Sequence, residues 1–240
     1  MSPTPVSRAA DDPRIRAGMS AQLARRRARI AAGETPLGWK VGFGAPAAMQ
    51  KFGLDAPLVG FLMRSGLLAC GEMVSLAAWV KPAAEAEIAV HMGRDLAAGA
   101  DRAAAAAAIA AFSPAIELAD VETPPEDVAA ILSGNIFQRH VVLGAPDPRR
   151  AGGSVAGLTA AVHRRGSEIA RTGDVEALTG DLVDIVRHVA DLLAAFGERL
   201  AAGEIVITGS ITPPVFLDRD DAALAFDLDP VGGVSVRFGH

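Results

Sequence analysis

The sequence predicts a β-rich α+β fold. Short apolar runs bounded by glycine or proline recur along most of the 240-residue chain, as expected of many short strands. Helical periodicity is confined to an N-terminal segment, a few short stretches and one long amphipathic helix, so helices do not alternate with strands as in a doubly wound fold. Half of the residues are hydrophobic, which is enough for one sizeable core. We expect an N-terminal helical extension at residues 1–37 and one domain at residues 38–240.

The first predicted element is a helix at residues 9–32, which is rich in Ala, Arg and Leu and ends at Gly33. The most clearly amphipathic helix is predicted at residues 182–200, where apolar side chains such as Ile185 and Val189 recur at helical spacing. Shorter helices are predicted at residues 45–52, 102–112 and 128–132.

The strands are predicted from short apolar runs with turn residues at their ends. Glycines bracket the first run, Pro82 precedes the acidic run, and Arg165 with Gly166 forms the turn of a hairpin. The predicted strands are residues 38–44, 57–62, 73–80, 84–93, 115–119, 136–144, 157–164, 167–171, 203–209, 222–228 and 233–238.

Three glutamates interrupt two of these apolar runs. Glu85 and Glu87 are two residues apart and would project from the same face of a strand, and Glu117 has only apolar neighbours for several residues. A carboxylate is rarely buried unless it is paired or bound to a cation. If the two strands are neighbours, three oxygen ligands converge on a site suited to Mg²⁺ or Mn²⁺. The alternative is a solvated strand face on which Glu85 and Glu87 point to water.

Composition excludes several classes of function. The net charge is −5 with acids and bases interspersed, so no nucleic-acid partner is expected, and the basic run at residues 25–29 is interpreted as a solvated helix face or a subunit contact. The single cysteine, Cys70, excludes a disulfide within the chain and a cysteine-based zinc site, and we expect it to be a buried structural residue. Because we see neither a signal peptide nor an apolar run long enough for a membrane, we expect a cytoplasmic protein without a membrane partner.

Six motifs together resemble a known family. They are G-W-K-V-G (38–42), F-G-L-D-A-P-x-x-G (52–60), K-P-A-A-E-A-E-I-A (81–89), P-A-I-E-L-A-D (114–120), V-V-L-G (141–144) and G-E-I-V-I-T-G-S (203–210). Their order resembles the 2-keto-4-pentenoate hydratase family of the fumarylacetoacetate hydrolase superfamily, which includes 2-oxohept-4-ene-dioate hydratases and 4-oxalocrotonate decarboxylases. The resemblance implies a mixed-sheet roll of the fumarylacetoacetate hydrolase C-terminal-domain type.

The resemblance also implies roles for individual residues. Glu85, Glu87 and Glu117 match the glutamates that hold one divalent cation, Mg²⁺ or Mn²⁺. Lys40 and Asp120 match residues at the family's active site and are carried over as catalytic. Substrate-binding positions are expected at Asn135, Gly209 and Ser210.

The segment 135–140 departs from the family pattern, in which two serines stand where this chain has Phe137 and Gln138. The lost hydroxyls predict that Phe137 borders the substrate and favours a less polar tail, unless Arg139 faces inward and pairs with a second carboxylate. His140 is a further candidate acid–base residue because histidine titrates near neutral pH, although a surface or intersubunit histidine is the alternative. A second departure, Leu58 and Val59 in place of Asp-Phe, removes one acidic group.

The function that the resemblance implies is hydration of a 2-hydroxy-2,4-dienoate by a metal-dependent lyase in aromatic meta-cleavage catabolism, in a homo-oligomer. Decarboxylation of a 2-oxo acid of the 4-oxalocrotonate type is the first alternative. Hydrolysis of an acylpyruvate is less favoured, because that chemistry uses an N-terminal histidine and this chain has none before His91. A non-enzymatic binder of 2-oxo acids is the remaining alternative.

Overall fold

The computed structural model describes residues 9–122 and 127–239. Five α-helices lie in these ranges: α1 (Pro13–Ala31), α2 (Pro46–Phe52), α3 (Arg102–Ala108), α4 (Val128–Ser133) and α5 (Leu182–Ala195). The strands are β1 (Pro36–Gly42), β2 (Leu58–Met63), β3 (Leu67–Leu68), β4 (Met73–Ser75), β5 (Pro82–Met92), β6 (Ile109–Asp120), β7 (Gln138–Leu143), β8 (Thr159–Arg164), β9 (Ser167–Thr172), β10 (Ile205–Ser210), β11 (Val215–Phe216), β12 (Ala223–Asp229) and β13 (Gly232–Gly239). None of these helices is long and apolar enough to cross a membrane.

The larger sheet is curled into a roll. Its strand order is β2-β1-β10-β5-β6-β7-β3, with β11 pairing beside β5. The two edge strands, β2 and β3, follow one another in the chain through the single turn Arg64–Gly66, so the two edges of the sheet must approach each other. The sheet therefore has an inner and an outer face, and successive residues of each strand alternate between them.

The outer face carries most of the hydrophobic core. A second sheet of order β4-β13-β12-β8-β9 packs against β6 through β12 and β13. Ile116 and Leu118 of β6 are fully buried in the same cluster as Phe226 and Val234 of the second sheet. The inner face holds a smaller apolar cluster of Leu37, Leu62, Ala89, Ala115, Val141, Ile205 and Ile207. This cluster fills one end of the roll and leaves the other end open.

The predicted helix at residues 102–112 is wrong in its second half. The helix ends at Ala108, and strand β6 begins at Ile109 and continues to Asp120. An alanine-rich apolar run has no periodicity that separates a helix from a buried strand, so pairing with β5 decides the outcome. The other shortfalls are local: α5 ends at Ala195, and only Met73–Ser75 of the predicted strand 73–80 is extended into a sheet. Cys70 is exposed, not buried as predicted.

Helix α1 is part of the main core. Ile15, Met19 and Leu23 are buried in the same cluster as Trp39 of β1. Strand β1 begins at Pro36, so the predicted boundary between residues 37 and 38 lies within a strand.

The basic run on α1 is the expected solvated face only in part, because Arg25 and Arg27 are exposed but Arg26 is not. Arg26 is buried, lies over the Trp39 ring at 4.4 Å, and pairs with Glu198 at 3.0 Å and Glu204 at 3.6 Å. Arg27 pairs with Glu198 at 2.7 Å from the solvent side. An arginine side chain suits this position, because its apolar stem packs in the core and its planar guanidinium lies between an aromatic ring and two carboxylates.

We predict that Arg26→Met lowers the free energy of unfolding by about 2–3 kcal/mol, because it leaves two partly buried carboxylates without their shared cation. Arg27→Met is the matched control and is expected to cost under about 1 kcal/mol, since its ion pair is solvated. Urea denaturation of both variants measures the difference. Equal losses of unfolding free energy in the two variants would show that the buried ion pairs of Arg26 contribute no more to stability than the solvated pair of Arg27.

Candidate metal centre and substrate cavity

Three carboxylates meet on the inner face of the roll. Strands β5 and β6 are antiparallel neighbours, and their register places Glu85 directly opposite Glu117. Glu87 follows two residues on and therefore projects from the same face. One oxygen from each of the three side chains lies within 4.8 Å of the others, and Glu87 and Glu117 are fully buried. The alternative of a solvated strand face for Glu85 and Glu87 is thereby excluded for Glu87, whereas Glu85 is half-buried.

Lys40 enters the same cluster from β1. Its Nζ is hydrogen-bonded to Glu117 Oε1 and donates to the Ile136 carbonyl at 3.3 Å. Gly60 lies opposite Lys40 on β2, and a Cβ at Gly60 would lie 2.9 Å from Lys40 Cγ. The glycine therefore provides the space through which the lysine stem passes.

The cluster retains unpaired oxygens that fit a cation. Glu87 Oε2 accepts a hydrogen bond of 2.7 Å from the backbone N–H of Gly209, whose φ of +98° suits the glycine at that position. Glu87 Oε1 and Glu117 Oε2 are buried without a hydrogen-bond partner among the described residues. Buried unpaired carboxylate oxygens are strongly unfavourable unless a cation binds them. Hard oxygen donors of this kind suit Mg²⁺, Mn²⁺ or Ca²⁺.

The pKa shifts within the cluster reflect an excess of negative charge. Burial, with the nearby charge of Glu117, raises the pKa of both Glu85 and Glu87. Burial alone would lower the pKa of Lys40, but the charges of the three glutamates outweigh it and raise that pKa. One ammonium group cannot balance three ionised carboxylates, so Glu85 and Glu87 hold protons more strongly than usual, and a divalent cation would complete the balance of charge with all three ionised.

A cavity of about 360 Å³ opens directly onto this cluster. Lys40 and Glu85 line its inner end, and Lys81 and Phe216 line the mouth. Apolar residues form most of the wall between them: Gly42, Phe43, Gly44, Ala45, Ala48, Ala83, Ala119, Val121, Ile136, Phe137, Leu178 and Pro214. A charged inner end below a mostly apolar wall is the usual arrangement of a small-molecule site.

The structure brings several predicted site residues to this cavity. Lys40, Phe137, Gly209 and Ser210 line it, together with Glu85. Ser210 donates its hydroxyl to the Thr212 carbonyl at 2.6 Å, so that hydroxyl is already engaged. Phe137 occupies the wall as the sequence predicted.

Asp120 and His140 do not join the carboxylate cluster. Asp120 is three residues after Glu117 in the same strand and therefore projects from the opposite face; its carboxylate accepts hydrogen bonds from the backbone N–H groups of Val80 and Lys81. His140 pairs with Leu118, again on the face opposite Glu117, and stacks on Trp79 at a centroid distance of 6.0 Å.

Asn135 and Arg139 also lie away from the carboxylates. Asn135 forms two hydrogen bonds with the backbone of Phe61, at 2.8 and 2.9 Å, and so ties its loop to β2. Arg139 pairs with Asp120 at 3.6 Å and also with Glu122. These side chains line a separate cavity of about 370 Å³. The physical reason is that residues 135–137 have positive φ values, so the strand that we predicted from residue 136 begins only at Gln138. Phe137 consequently lines both cavities, whereas Arg139 lines only the second.

Sequence reasoning missed residues at the cavity mouth and wall, chiefly Lys81, Phe216, Thr208 and Thr212. The sequence could have indicated Lys81, because it is four residues before Glu85 and hence in phase with both Glu85 and Glu87. No sequence pattern indicated Phe216, since its position depends on the pairing of β11 with β5.

Comparisons with known proteins agree with this architecture. The family described as fumarylacetoacetate (FAA) hydrolase C-terminal matches residues 41–233. The chain is 30% identical over 221 residues to 2-keto-4-pentenoate hydratase 1 of Dechloromonas aromatica (strain RCB), covering 88% of this chain and 81% of the relative. It is 27% identical over 216 residues to a 4-oxalocrotonate decarboxylase of Pseudomonas putida, covering 89% and 81% of the two chains.

Solved structures show the same fold. The 4-oxalocrotonate decarboxylase of Pseudomonas putida G7, complexed with magnesium and adipate, matches with a TM-score of 0.83 and 26% identity over 91% of this chain and 83% of that chain. A fumarylpyruvate hydrolase of Pseudomonas aeruginosa, in complex with Mn²⁺ and pyruvate, shares the fold with a TM-score of 0.67 at 14% identity over 85% and 89% of the two chains. These matches confirm both the resemblance and the predicted fold class. The chain belongs to the fumarylacetoacetate hydrolase C-terminal family.

Proposed function

We propose that this protein is a divalent-metal-dependent lyase that adds water to a 2-hydroxy-2,4-dienoate. The observation that carries the proposal is the buried cluster of Glu85, Glu87 and Glu117, with two unpaired oxygens, at the closed end of a largely apolar cavity. Relatives named as hydratases and decarboxylases, and a neighbouring structure that contains magnesium, support a metal-dependent reaction on a 2-oxo acid.

The three glutamates would hold the cation, and Gly209 would fix the orientation of Glu87. When bound, Mg²⁺ or Mn²⁺ would supply the Lewis acidity that stabilises negative charge on the 2-oxygen of the substrate. In the proposed reaction the dienol first ketonises, moving its hydroxyl proton to the far end of the diene. Water then adds its hydroxyl group and its proton across the remaining double bond.

Lys40 contributes a buried positive charge beside this site. The three glutamates raise its pKa and keep the side chain as an ammonium group, so it can attract the substrate carboxylate. A divalent cation on the same glutamates would lower that pKa and make Nζ a better proton donor. The pairing with Glu117 holds Nζ at the inner end of the cavity. The apolar wall formed by residues such as Phe43, Ile136 and Phe137 excludes bulk water, which strengthens these interactions.

Decarboxylation is the second candidate, because the structural neighbour with a TM-score of 0.83 is a 4-oxalocrotonate decarboxylase. Acylpyruvate hydrolysis is less favoured by the geometry. None of the described residues that line the cavity is a histidine, and His91, near the other end of β5, is hydrogen-bonded to Ser113 at 2.8 Å.

Incubation with 2-hydroxypenta-2,4-dienoate tests the proposal directly. We expect loss of the dienol absorbance with Mg²⁺ or Mn²⁺ present, and loss of that activity in EDTA. Carbon dioxide released from 4-oxalocrotonate, without hydration of either compound, would favour the decarboxylase. Full activity in metal-free enzyme would exclude the metal-dependent reaction.

We predict that Glu87→Gln abolishes binding of Mg²⁺ and Mn²⁺ in calorimetry, because it removes one charged ligand and keeps the side-chain volume. Glu168→Gln, on β9 of the second sheet, is the control and should bind metal as the wild type does. Circular dichroism establishes that both variants are folded. Unchanged metal affinity in Glu87→Gln would place the metal elsewhere.

We predict that Lys40→Met lowers kcat/KM by about a hundredfold or more, in the usual range for a positioned acid–base group. Because Lys40 is ion-paired inside the roll, the substitution should also destabilise the metal-free protein, by about 3 kcal/mol. Added Mg²⁺ should recover much of this stability and little of the activity. Wild-type kinetics in the folded variant would remove Lys40 from the mechanism.

A further inference from the structure

A second lysine lies in line with the metal-facing glutamates. Lys81 precedes β5 and is four residues before Glu85, so the alternation of the strand directs both side chains to the same side. Four residues of extended chain separate the two positions by about 13 Å. Lys81 and Glu85 both line the cavity, one at its mouth and one at its inner end. The cavity therefore runs along β5 from the carboxylate cluster to a cation.

Lys81 has no ion-pair partner among residues 9–122 and 127–239, although the other lysine of the cavity, Lys40, is paired with Glu117. Its Nζ lies 4.6 Å from the centroid of the Phe216 ring. Strand β11 pairs with β5 so that Phe216 lies opposite Ala83. Ala83 is two residues after Lys81 and projects from the same face. This cation–π contact holds the ammonium group over the mouth without neutralising its charge.

The stretch between the two ends suits a carbon chain. Ala83 of β5 and Ala119 of β6 are paired in register, and their methyl groups leave the middle of the cavity open. Three of the four hydroxyl groups that line the cavity are already engaged: Thr179 donates to the Gly180 carbonyl at 3.0 Å, Thr208 to the Ile88 carbonyl at 3.0 Å and Ser210 to the Thr212 carbonyl. The hydroxyl of Thr212 is the exception among the described residues. No charged side chain other than Lys40, Lys81 and Glu85 is among the described residues of the wall.

We propose that Lys81 determines specificity by binding a second carboxylate at the far end of the substrate, so that the preferred substrate is an extended dicarboxylic 2-oxo acid or its dienol. This inference rests on the proposed function, because it takes the first carboxylate to be bound at the glutamate cluster. From the sequence we named Arg139 as the residue that could pair with a second carboxylate. In the structure Arg139 pairs with Asp120 and Glu122 beside the second cavity. In our proposal Lys81, which precedes β5 on the other side of β6, binds that carboxylate instead.

An ion pair at the far carboxylate has a consequence for the reaction. It stabilises the carboxylate in the ground state, whereas loss of carbon dioxide from that group disperses the charge in the transition state. An interaction that stabilises the ground state more than the transition state slows the reaction, here the loss of carbon dioxide. Lys81 therefore favours a reaction that retains the far carboxylate, such as hydration, over decarboxylation of that group.

The test compares two ligands that differ only at the far end: 2-oxoadipate, which ends in a carboxylate, and 2-oxohexanoate, which ends in a methyl group. Calorimetry is done on the Mg²⁺-loaded protein. We expect the wild type to bind 2-oxoadipate about fivefold more tightly, the upper range for a solvent-exposed ion pair. Lys81→Met should abolish this preference and leave the affinity for 2-oxohexanoate unchanged, and Lys81→Glu should reverse the preference.

Lys51→Met is the matched control, because Lys51 is also an exposed lysine over an aromatic ring, 5.3 Å from the Phe52 centroid, but does not line the cavity. This variant should keep the wild-type preference. A preference that is absent in the wild type, or that persists in Lys81→Met, overturns the role of Lys81 and leaves the proposed function in place. If neither ligand binds with Mg²⁺, or if Glu87→Gln binds them equally well, the proposed function fails and the inference fails with it.

Discussion

The structure depends on the burial of three carboxylates with a single lysine inside a roll of β-strands. Glu87 and Glu117 are fully buried and Lys40 is 2% exposed, so water contributes little to their stability. In such surroundings the repulsion among Glu85, Glu87 and Glu117 is several-fold larger than in water. Lys40 removes only part of it, and the Gly209 N–H stabilises one more oxygen. In the metal-free protein bound protons relieve part of this repulsion, as the raised pKa values of Glu85 and Glu87 indicate, and the proposed cation would take their place.

The roll makes this arrangement possible because it has an interior that is closed at one end. The small apolar cluster around Ala115, Val141 and Ile207 fills the space below the carboxylates. Above them the register of β5 and β6 places alanines, so the chamber widens toward its mouth. A flat sheet with the same sequence would expose the glutamates on a solvated face. Curvature of the sheet, and not any single side chain, therefore turns a pattern of acids into a site.

The sequence was sufficient for features that depend on strand alternation alone. The shared face of Glu85 and Glu87 and the isolation of Glu117 among apolar residues predicted the carboxylate cluster. The same rule, applied further, would have separated Asp120 from Glu117, which are an odd number of residues apart, and would have found Lys81. His140 could not be placed in this way, because its face depends on its register with Leu118. The left-handed turn at residues 135–137, and the strand that follows α3, depend on tertiary packing that a local pattern does not contain.

The two lysines of the cavity illustrate how position decides what a charge can do. Lys40 is enclosed with Glu117 in a region of low dielectric, where separating the pair would be very unfavourable, so its role is fixed in the folded state. Lys81 is exposed at the mouth, where water screens its charge and the contact with Phe216 is weak enough to yield to a ligand. A buried cation holds the site together, and a solvated one can exchange partners quickly. On the proposed function, the charge that organises the metal centre therefore lies deep in the roll, and the charge that selects among substrates lies where they enter.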